Sequence, residues 1–127
     1  MTVFITQNRS NLDFSMLLKF SPQHVFFYKR SIYPDESDVV MSDSVGKIKN
    51  LLERYHFNPS EDYIALVGDP VLIAACVSTA HAVAAGVPIK LLKFDRQAND
   101  YYEVILPNPF VRSPTQPVLN SVWRNNI

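Results

Sequence analysis

The amino-acid sequence predicts a single α/β domain with the element order β-β-α-β-α-β-β, in which a mixed sheet carries an extended C-terminal tail. Three observations predict this class. Residues 62–67 are typical of a buried strand, and they run directly into a capped helix. A second strand at 88–94 follows that helix, which favours a parallel crossover. A third strand at 101–106 follows after a polar connection, which is typical of an antiparallel hairpin.

The N-terminal residues predict two further strands. Residues 2–6 combine β-branched and aromatic side chains in a short strand, and the turn-rich segment 7–11 follows it. Residues 12–20 place Phe and Leu in a pattern that fits one or two helical turns. Residues 24–29, with the sequence His-Val-Phe-Phe-Tyr-Lys, then predict the second strand.

The first long helix is predicted over residues 44–57. The preceding segment, 31–43, contains Pro34 and several acidic residues and predicts a loop, in which residues 39–41 form either a short strand or an anchored stretch. The helix is amphipathic, and its apolar stripe consists of Val45, Ile48, Leu52 and Tyr55. Asn58-Pro59 is expected to end it.

The second helix is predicted over residues 70–85. Asp69 is a favoured N-cap, and Pro70 suits the first helical position because its missing N–H would have no partner there. Gly86 supplies a left-handed residue at the other end, and Pro88 prevents continuation. The run is apolar nearly all round but shorter than the roughly 20 residues that cross a bilayer. We therefore expect it to lie between the sheet and another layer or subunit.

Composition limits the classes of protein that fit. The chain has 127 residues, of which 47% are hydrophobic, and this suits one domain, predicted over residues 1–106. Twelve basic and twelve acidic side chains cancel, so nucleic-acid binding would require local clustering. The single Cys76 cannot form an intrachain disulfide, and the N-terminal residues lack the pattern of a signal peptide. These features predict a cytoplasmic location.

The tail, residues 107–127, contains four prolines and only Arg112 and Arg124 as charged residues. It cannot form the interior of a regular sheet. Its apolar side chains make it less polar than a typical disordered tail. We expect it to dock on its own domain or, equally, on a second subunit, and we therefore predict a homodimer.

The junction Gly68-Asp69-Pro70 has two interpretations. A helix N-terminus after a parallel strand is a preorganised anion site, so Gly68 and Asp69 form a possible ligand site. However, Pro70 removes a donor, and the Asp69 carboxylate repels anions and occupies the amides itself. Simple capping is the favoured interpretation.

No set of residues in the sequence predicts catalysis or a metal site. The three histidines, His24, His56 and His81, lack the spacing of metal ligands, and the acidic residues at 35, 36 and 38 lack the pattern of a calcium loop. Neither a base nor a cationic residue adjoins Cys76 in the sequence, which predicts a buried structural thiol. We therefore expect a protein that is not an enzyme and needs no cofactor.

Aromatic and basic residues interleave in three regions of the chain, a combination with which proteins bind flexible single strands. In the alternative interpretation the aromatic residues belong to the core and the cations are simply solvated. The candidate nucleic-acid-binding residues are Lys29, Arg30, Tyr33, Lys90, Lys93, Arg96, Tyr101, Arg112, Trp123 and Arg124.

Short motifs give a resemblance to a known group. The motifs are Thr6-Gln-Asn-x-x-Asn-Leu-Asp-Phe-Ser15, Asp62-Tyr-Ile with Val67-Gly-Asp-Pro70, and Leu91-Leu-Lys-Phe-Asp-Arg-Gln97 with Tyr101. Together they resemble small early proteins of tailed bacteriophages, over most of residues 1–106. The resemblance implies an accessory role in phage DNA metabolism, in the cytoplasm of the infected cell, and suggests single-stranded DNA as a partner.

The resemblance does not decide the role of the motif residues themselves. They serve either turns and caps or binding, and they are Asn11, Asp13, Gly68, Asp69, Asp95 and Arg96.

The leading hypothesis is therefore a non-enzymatic phage protein that binds single-stranded DNA as a dimer. The alternative is a protein-interaction module that modulates a host enzyme during infection, for which the neutral charge and the apolar, proline-rich tail are the better support. An enzyme or nucleotide-binding protein built on Gly68-Asp69-Pro70 ranks last, because a base, a nucleophile and a metal set are missing from the sequence.

Overall fold

The computed structural model describes residues 1–9, 12–28, 33–35 and 37–110. These residues form five strands and two α-helices in the predicted order, with one short 3₁₀ helix. The elements in chain order are β1 (Val3–Ile5), the 3₁₀ helix (Ser15–Lys19), β2 (His24–Phe26), α1 (Ser37–Arg54), β3 (Tyr63–Ala65), α2 (Pro70–Ala84), β4 (Ile89–Asp95) and β5 (Asp100–Leu106). The predicted α/β class is thus confirmed.

The sheet has the strand order β2-β1-β3-β4-β5. The first four strands are parallel, and β3, α2 and β4 form the predicted parallel crossover. β5 pairs with β4 antiparallel, with Ile89 opposite Leu106 and Asp95 opposite Asp100. The hairpin connection is therefore two residues shorter than predicted, because Asp95 and Asp100 belong to the strands.

Both faces of the sheet are covered, by different elements. On one face, Phe4, Ile64 and Leu91 pack with the buried residues of α1 and α2. On the other face, Val3 and Leu92 pack with the 3₁₀ helix and its neighbours. Alternate strand residues point to opposite faces, so the short strands contribute to both clusters.

Helix α1 begins seven residues earlier than predicted, at Ser37 instead of Ser44. Residues 39–41 are helical, which corrects the expected loop or short strand. β-branched residues lower helix propensity only slightly, so Val39 and Val40 are compatible with a helix. The buried stripe also differs from the prediction: Ser44 is buried with Ile48 and Leu52, whereas Val45 is 45% exposed.

Helix α1 ends at Arg54, before the predicted end at Phe57. The backbone N–H of Phe57 donates to the carbonyl of Leu52 at 2.9 Å, and that of His56 donates to Glu53 at 3.1 Å. His56 takes the left-handed conformation, with φ of 52°. This is a Schellman motif, so the helix is terminated by its own cap before Asn58-Pro59 is reached.

Helix α2 has the predicted caps, with one addition. The Asp69 carboxylate accepts a hydrogen bond from the backbone N–H of Val71, and Pro70 occupies the first turn. At the C-terminal end Gly86 has a positive φ of 96°, as predicted, but Ala85 is also left-handed, with φ of 51°. The chain therefore leaves α2 through two successive left-handed residues.

Candidate functional site

The strand order places a topological switch point between β1 and β3. In open α/β sheets, ligands bind outside the carboxyl ends of the strands at such a point. Here the side chains that follow β1 seal it. The Thr6 hydroxyl donates to the carbonyl of Val67 at 2.6 Å and accepts from the Val67 N–H at 2.8 Å. Gln7 accepts through its side-chain oxygen from the Asp69 N–H at 2.8 Å.

Gly68, one of the two predicted ligand-site residues, is required at this junction by its conformation and its neighbour. Its φ is +86°, and a Cβ there would lie 1.9 Å from Oε1 of Gln7. Asp69, the other one, caps α2 as described above. The structure therefore shows the favoured interpretation of the motif, which is helix capping by Asp69. Gly68 allows the Gln7 side chain to pack against the backbone at this junction.

An open cleft lies beside this junction, over the carboxyl ends of β3 and β4. We call it the carboxyl-edge cleft. Its volume is about 650 Å³. It is lined by Leu12, Asp13, Met16, Leu66, Val67, Gly68, Ile73, Lys93, Phe94, Arg96, Asn99 and Tyr101. Gly68, from the possible ligand site, thus lies in the same cleft as three of the candidate nucleic-acid-binding residues, Lys93, Arg96 and Tyr101.

The basic and aromatic side chains of the cleft have different exposures. Lys93 and Arg96 are exposed, whereas Tyr101 is only 8% exposed. The rings of Tyr101 and Phe94 are in edge contact, with centroids 5.2 Å apart. Burial raises the pKa of the Tyr101 hydroxyl. The cations are therefore free to meet a solvent-borne ligand, while Tyr101 mainly forms the wall.

The cleft also contains one carboxylate, Asp13. The backbone N–H of Ser15 donates to Oδ1 of Asp13 at 2.8 Å, and this bond holds the pKa of the carboxyl below its usual value. Asp13 thus stays charged at neutral pH. Against Lys93 and Arg96, it leaves the lining of the cleft with a single net positive charge.

Lys90 does not belong to the cleft, although the sequence grouped it with Lys93. Residues three apart on a strand point to opposite faces of the sheet. The Lys90 ammonium lies 5.1 Å from the centroid of the Tyr63 ring, on the face that carries the 3₁₀ helix. Tyr33 is exposed and does not line the cleft. The remaining candidates, Lys29, Arg30, Arg112, Trp123 and Arg124, lie outside the described residues.

A row of cations and aromatic rings crosses the 3₁₀-helix face of the sheet, and the sequence did not reveal it. Beyond Lys90 and Tyr63, the ring of Phe20 lies 5.3 Å from that of Tyr63, and the Lys19 ammonium lies 5.3 Å from the Phe20 centroid. Lys19 in turn forms an ion pair with Asp100. These residues are far apart in sequence, so no local pattern signals the row.

Asn99 is a second site residue that sequence reasoning missed. It lines the cleft from the turn between β4 and β5, in the left-handed conformation with φ of 52°. Asn tolerates this conformation better than most residues. The presence of an Asn in the connection between two predicted strands is the sequence feature that could have indicated this turn residue.

Cys76, His24 and His81 lie outside the cleft, and each is buried or contacts a backbone carbonyl. Burial raises the pKa of the Cys76 thiol to about 12, so the thiol is neutral at physiological pH. The backbone carbonyl oxygen of Ser21 lies 3.0 Å from Nε2 of His24. The backbone carbonyl oxygen of Leu106 lies 3.5 Å from Nε2 of His81. Among the described residues, His, Cys, Asp and Glu form no group that could hold a metal ion.

Within the same described ranges, neither helix has the length and apolar character needed to cross a membrane.

Comparison with known proteins gives one result. No curated protein and no solved structure matches the chain. The family model described as Phage Pam3 gp32-like protein matches residues 1–108, which include every described residue of the carboxyl-edge cleft. The predicted origin from a bacteriophage is thereby confirmed: the chain belongs to the Phage Pam3 gp32-like protein family.

Proposed function

We propose that this phage protein binds single-stranded DNA, without catalysing a reaction, and that the carboxyl-edge cleft holds a nucleotide of the strand. The observation that carries the proposal is the convergence of Lys93, Arg96 and the Phe94–Tyr101 ring pair on one cleft. In the sequence these residues are spread over two strands and a turn. The proposed place of action is the cytoplasm of the infected cell.

The size of the cleft supports a small occupant. Small-molecule sites in proteins have volumes of roughly 300–1,000 Å³, and about 650 Å³ lies within this range. A nucleotide unit fits such a space, whereas a duplex does not. In a single strand the base is free to leave its neighbours and enter the cleft, with its flanking phosphates near Lys93 and Arg96.

The charge of the cleft limits the strength of the interaction. Two cations that neutralise two phosphates predict a slope of log K against log salt of about −1.4 for a single strand. Asp13 opposes this attraction, and the chain as a whole is neutral. We therefore expect weak binding at physiological salt that is measurable at low salt.

An aromatic side chain adjoins the cleft on the hairpin. Tyr102 lies opposite Lys93 in the β4–β5 register and is exposed. Stacking of a base on an aromatic ring contributes about 1–3 kcal/mol. Tyr102 therefore offers a stacking surface for a base that follows the one in the cleft.

The test is fluorescence anisotropy of a labelled single-stranded oligonucleotide, titrated with the protein at low and at physiological salt. The double variant Lys93→Ala with Arg96→Ala is expected to bind at least tenfold more weakly, because two charge-assisted contacts of roughly 1.5 kcal/mol or more are lost. The salt dependence should also become shallower. Duplex competitor should displace the strand poorly.

The matched control is Lys47→Ala with Arg54→Ala on α1, which removes the same charge away from the cleft. This control should bind nearly as well as the unaltered protein. An equal loss in both double variants would show that binding follows overall charge and would reject the cleft as the site. Absence of binding at low salt would reject the proposal itself.

We further propose that the protein is a homodimer and that β5 provides the contact. β5 is a seven-residue edge strand, and both Tyr102 and Ile105 are exposed on it. An unprotected edge strand is a template for pairing with another strand. Light scattering should give twice the chain mass, and Ile105→Lys should give the monomer. A monomeric unaltered protein would contradict this part of the proposal.

The same exposed strand supports an alternative function, a protein-interaction module that modulates a host enzyme. An extended segment of a host protein could add to β5 by strand pairing. Here Ile105→Lys should abolish capture of the host protein, while Lys93→Ala with Arg96→Ala should leave it unchanged. Capture that survives Ile105→Lys would contradict this alternative.

A further inference from the structure

The outward face of α2 is uncharged, and no other described part of the chain covers it. α2 contains no charged residue, and its inner face packs on the sheet and on α1. The outer face exposes a stripe formed by Val71, Ala74, Ser78 and Ala82. A helix on the surface of a globular protein normally carries polar and charged residues there. The sequence predicts that α2 lies between the sheet and another layer or subunit. Within the described residues, no such layer covers its outer face.

A groove runs between this face and α1. Its volume is about 480 Å³. α1 contributes Val45, which is exposed, and the charged residues Lys49 and Glu53. α2 contributes Ala82, Val83 and the two hydroxyl residues Ser78 and Thr79. The groove is therefore uncharged on the α2 side and has charged residues only on its α1 side.

The chain itself leads into this groove after β5. The side chain of Asn108 is buried, and its Nδ2 donates to the carbonyls of His81 at 2.8 Å and Val87 at 3.0 Å. Its Oδ1 accepts from the backbone N–H of Phe110 at 2.9 Å. These bonds hold the chain against the C-terminal end of α2. Phe110, the last described residue, then lines the groove while remaining 53% exposed.

We infer that residues 111–127 of the same chain occupy the groove and cover the outer face of α2. The segment has 17 residues, and an extended chain of this length reaches about 55 Å. α2 has 15 residues and is only about 22 Å long. The segment is thus long enough to follow the whole helix from its starting point at Phe110.

The composition of the segment suits this role. It contains Val118, Leu119, Val122 and Trp123 as large apolar side chains, and no acidic residue. Arg112 follows Phe110 by two residues in the sequence, and Glu53 lines the groove together with Phe110. The anchored start gives the segment an effective concentration on the order of millimolar at the groove, which favours docking within one chain over docking on a second copy.

This inference gives Trp123 a packing role on α2, independent of the proposed DNA site. Trp123 is the only tryptophan of the chain, so its fluorescence reports directly on the segment. In the full-length protein its emission should be blue-shifted relative to the urea-unfolded chain, and it should be poorly quenched by acrylamide.

The decisive variant is Ser78→Arg with Ala82→Arg, which places two charges on the exposed stripe of α2 without touching the core. Trp123 emission should shift to the red, and acrylamide quenching should increase severalfold. The matched control is Ser42→Arg with Asn50→Arg, at exposed positions of α1 outside the groove. The control should leave Trp123 emission unchanged.

Two outcomes would overturn the inference. One is Trp123 emission that the groove variant does not alter. The other is emission that reverts to that of the unfolded chain on dilution, in step with dissociation of a dimer, because the occupant would then be the segment of a second copy. Emission independent of protein concentration supports docking within one chain.

A second measurement keeps the test open if the groove variant fails to fold. Trp123→Ala in the full-length protein should uncover α2 and raise the binding of the dye anilinonaphthalene sulfonate severalfold, since that dye binds exposed apolar surface. Trp123→Phe should keep dye binding low, because it preserves an apolar anchor. Unchanged dye binding in Trp123→Ala would reject the inference.

Discussion

The side-chain oxygen of Gln7 accepts a hydrogen bond from the backbone N–H of Asp69 at 2.8 Å, across the point where β1 and β3 diverge. Gln7 is buried, and it fills the space beside Gly68 that a side chain would otherwise occupy. The contact closes the switch point, which is the usual ligand position in such sheets. The open cleft therefore lies one strand further along, over β3 and β4.

Replacing Gly68 with alanine is expected to destabilise the protein by about 3 kcal/mol, because a left-handed alanine costs 1–2 kcal/mol and overpacking against Gln7 adds to it. Urea unfolding measures the change in the free energy of unfolding. The control is Gly46→Ala in α1, where an added Cβ meets no atom within 4 Å. That substitution should stabilise the protein by about 0.5–1 kcal/mol. Equal effects of the two substitutions would contradict the structure at Gly68.

Ala85→Gly should stabilise the protein by about 0.5–1 kcal/mol, because Ala85 is held at a φ of 51° that glycine adopts without strain. Thermal or urea unfolding measures this gain. Ala74→Gly, at an exposed helical position of the same helix, should instead cost about 1 kcal/mol. A loss of stability in both variants would mean that Ala85 is not left-handed in solution.

Cys76 should react with a thiol reagent only when the protein unfolds, because burial raises the pKa of its thiol to about 12 and excludes the reagent. Labelling at pH 8 should be slow in buffer and fast in urea. Rapid labelling of the folded protein would show that α2 is accessible from the core side.

The same group predicts a dependence of stability on pH. The folded protein keeps the Cys76 proton above the pKa of the unfolded thiol, which is near 9.0. Its contribution is therefore complete below about pH 9 and is lost as the pH rises toward 12. The variant Cys76→Ala should lack this component of the alkaline loss in the free energy of unfolding.

Lys19→Met should raise the pKa of the Asp100 carboxyl, since the Lys19 ammonium is the main cause that lowers it. NMR titration of the carboxyl carbon measures this change. A lowered pKa contributes stability above the unfolded value of 3.8 and loses it as the pH falls through the folded pKa. Lys90→Met, whose lysine contacts Tyr63 instead, should leave the Asp100 titration unchanged.

Much of the fold was predictable because its signals are local. Asp69, Pro70 and Gly86 mark the ends of α2 by backbone chemistry that acts within one helical turn. The start of α1 was not predictable in this way. Val39 and Val40 have weak intrinsic preferences, so their residue type does not by itself distinguish a helix from a loop or a strand.

The candidate site was predictable only as separate residues. Residue type and position in a hairpin identify Lys93, Arg96 and Tyr101, yet they equally select Lys90, which lies on the opposite face from Lys93 and outside the cleft. The face of a strand residue depends on where the strand begins and on what packs there. Asp13, which precedes the 3₁₀ helix, and Met16, which lies within it, line the cleft about 80 residues away in sequence from Lys93.

The order of the elements, the caps of α2 and the hairpin follow from the amino-acid sequence alone, because each depends on neighbouring residues and on periodic burial. The strand order, the closure of the switch point by Thr6 and Gln7, and the position of the open cleft are visible only in the folded chain. These features arise from contacts between distant segments, whose geometry is set when both faces of the sheet become buried together.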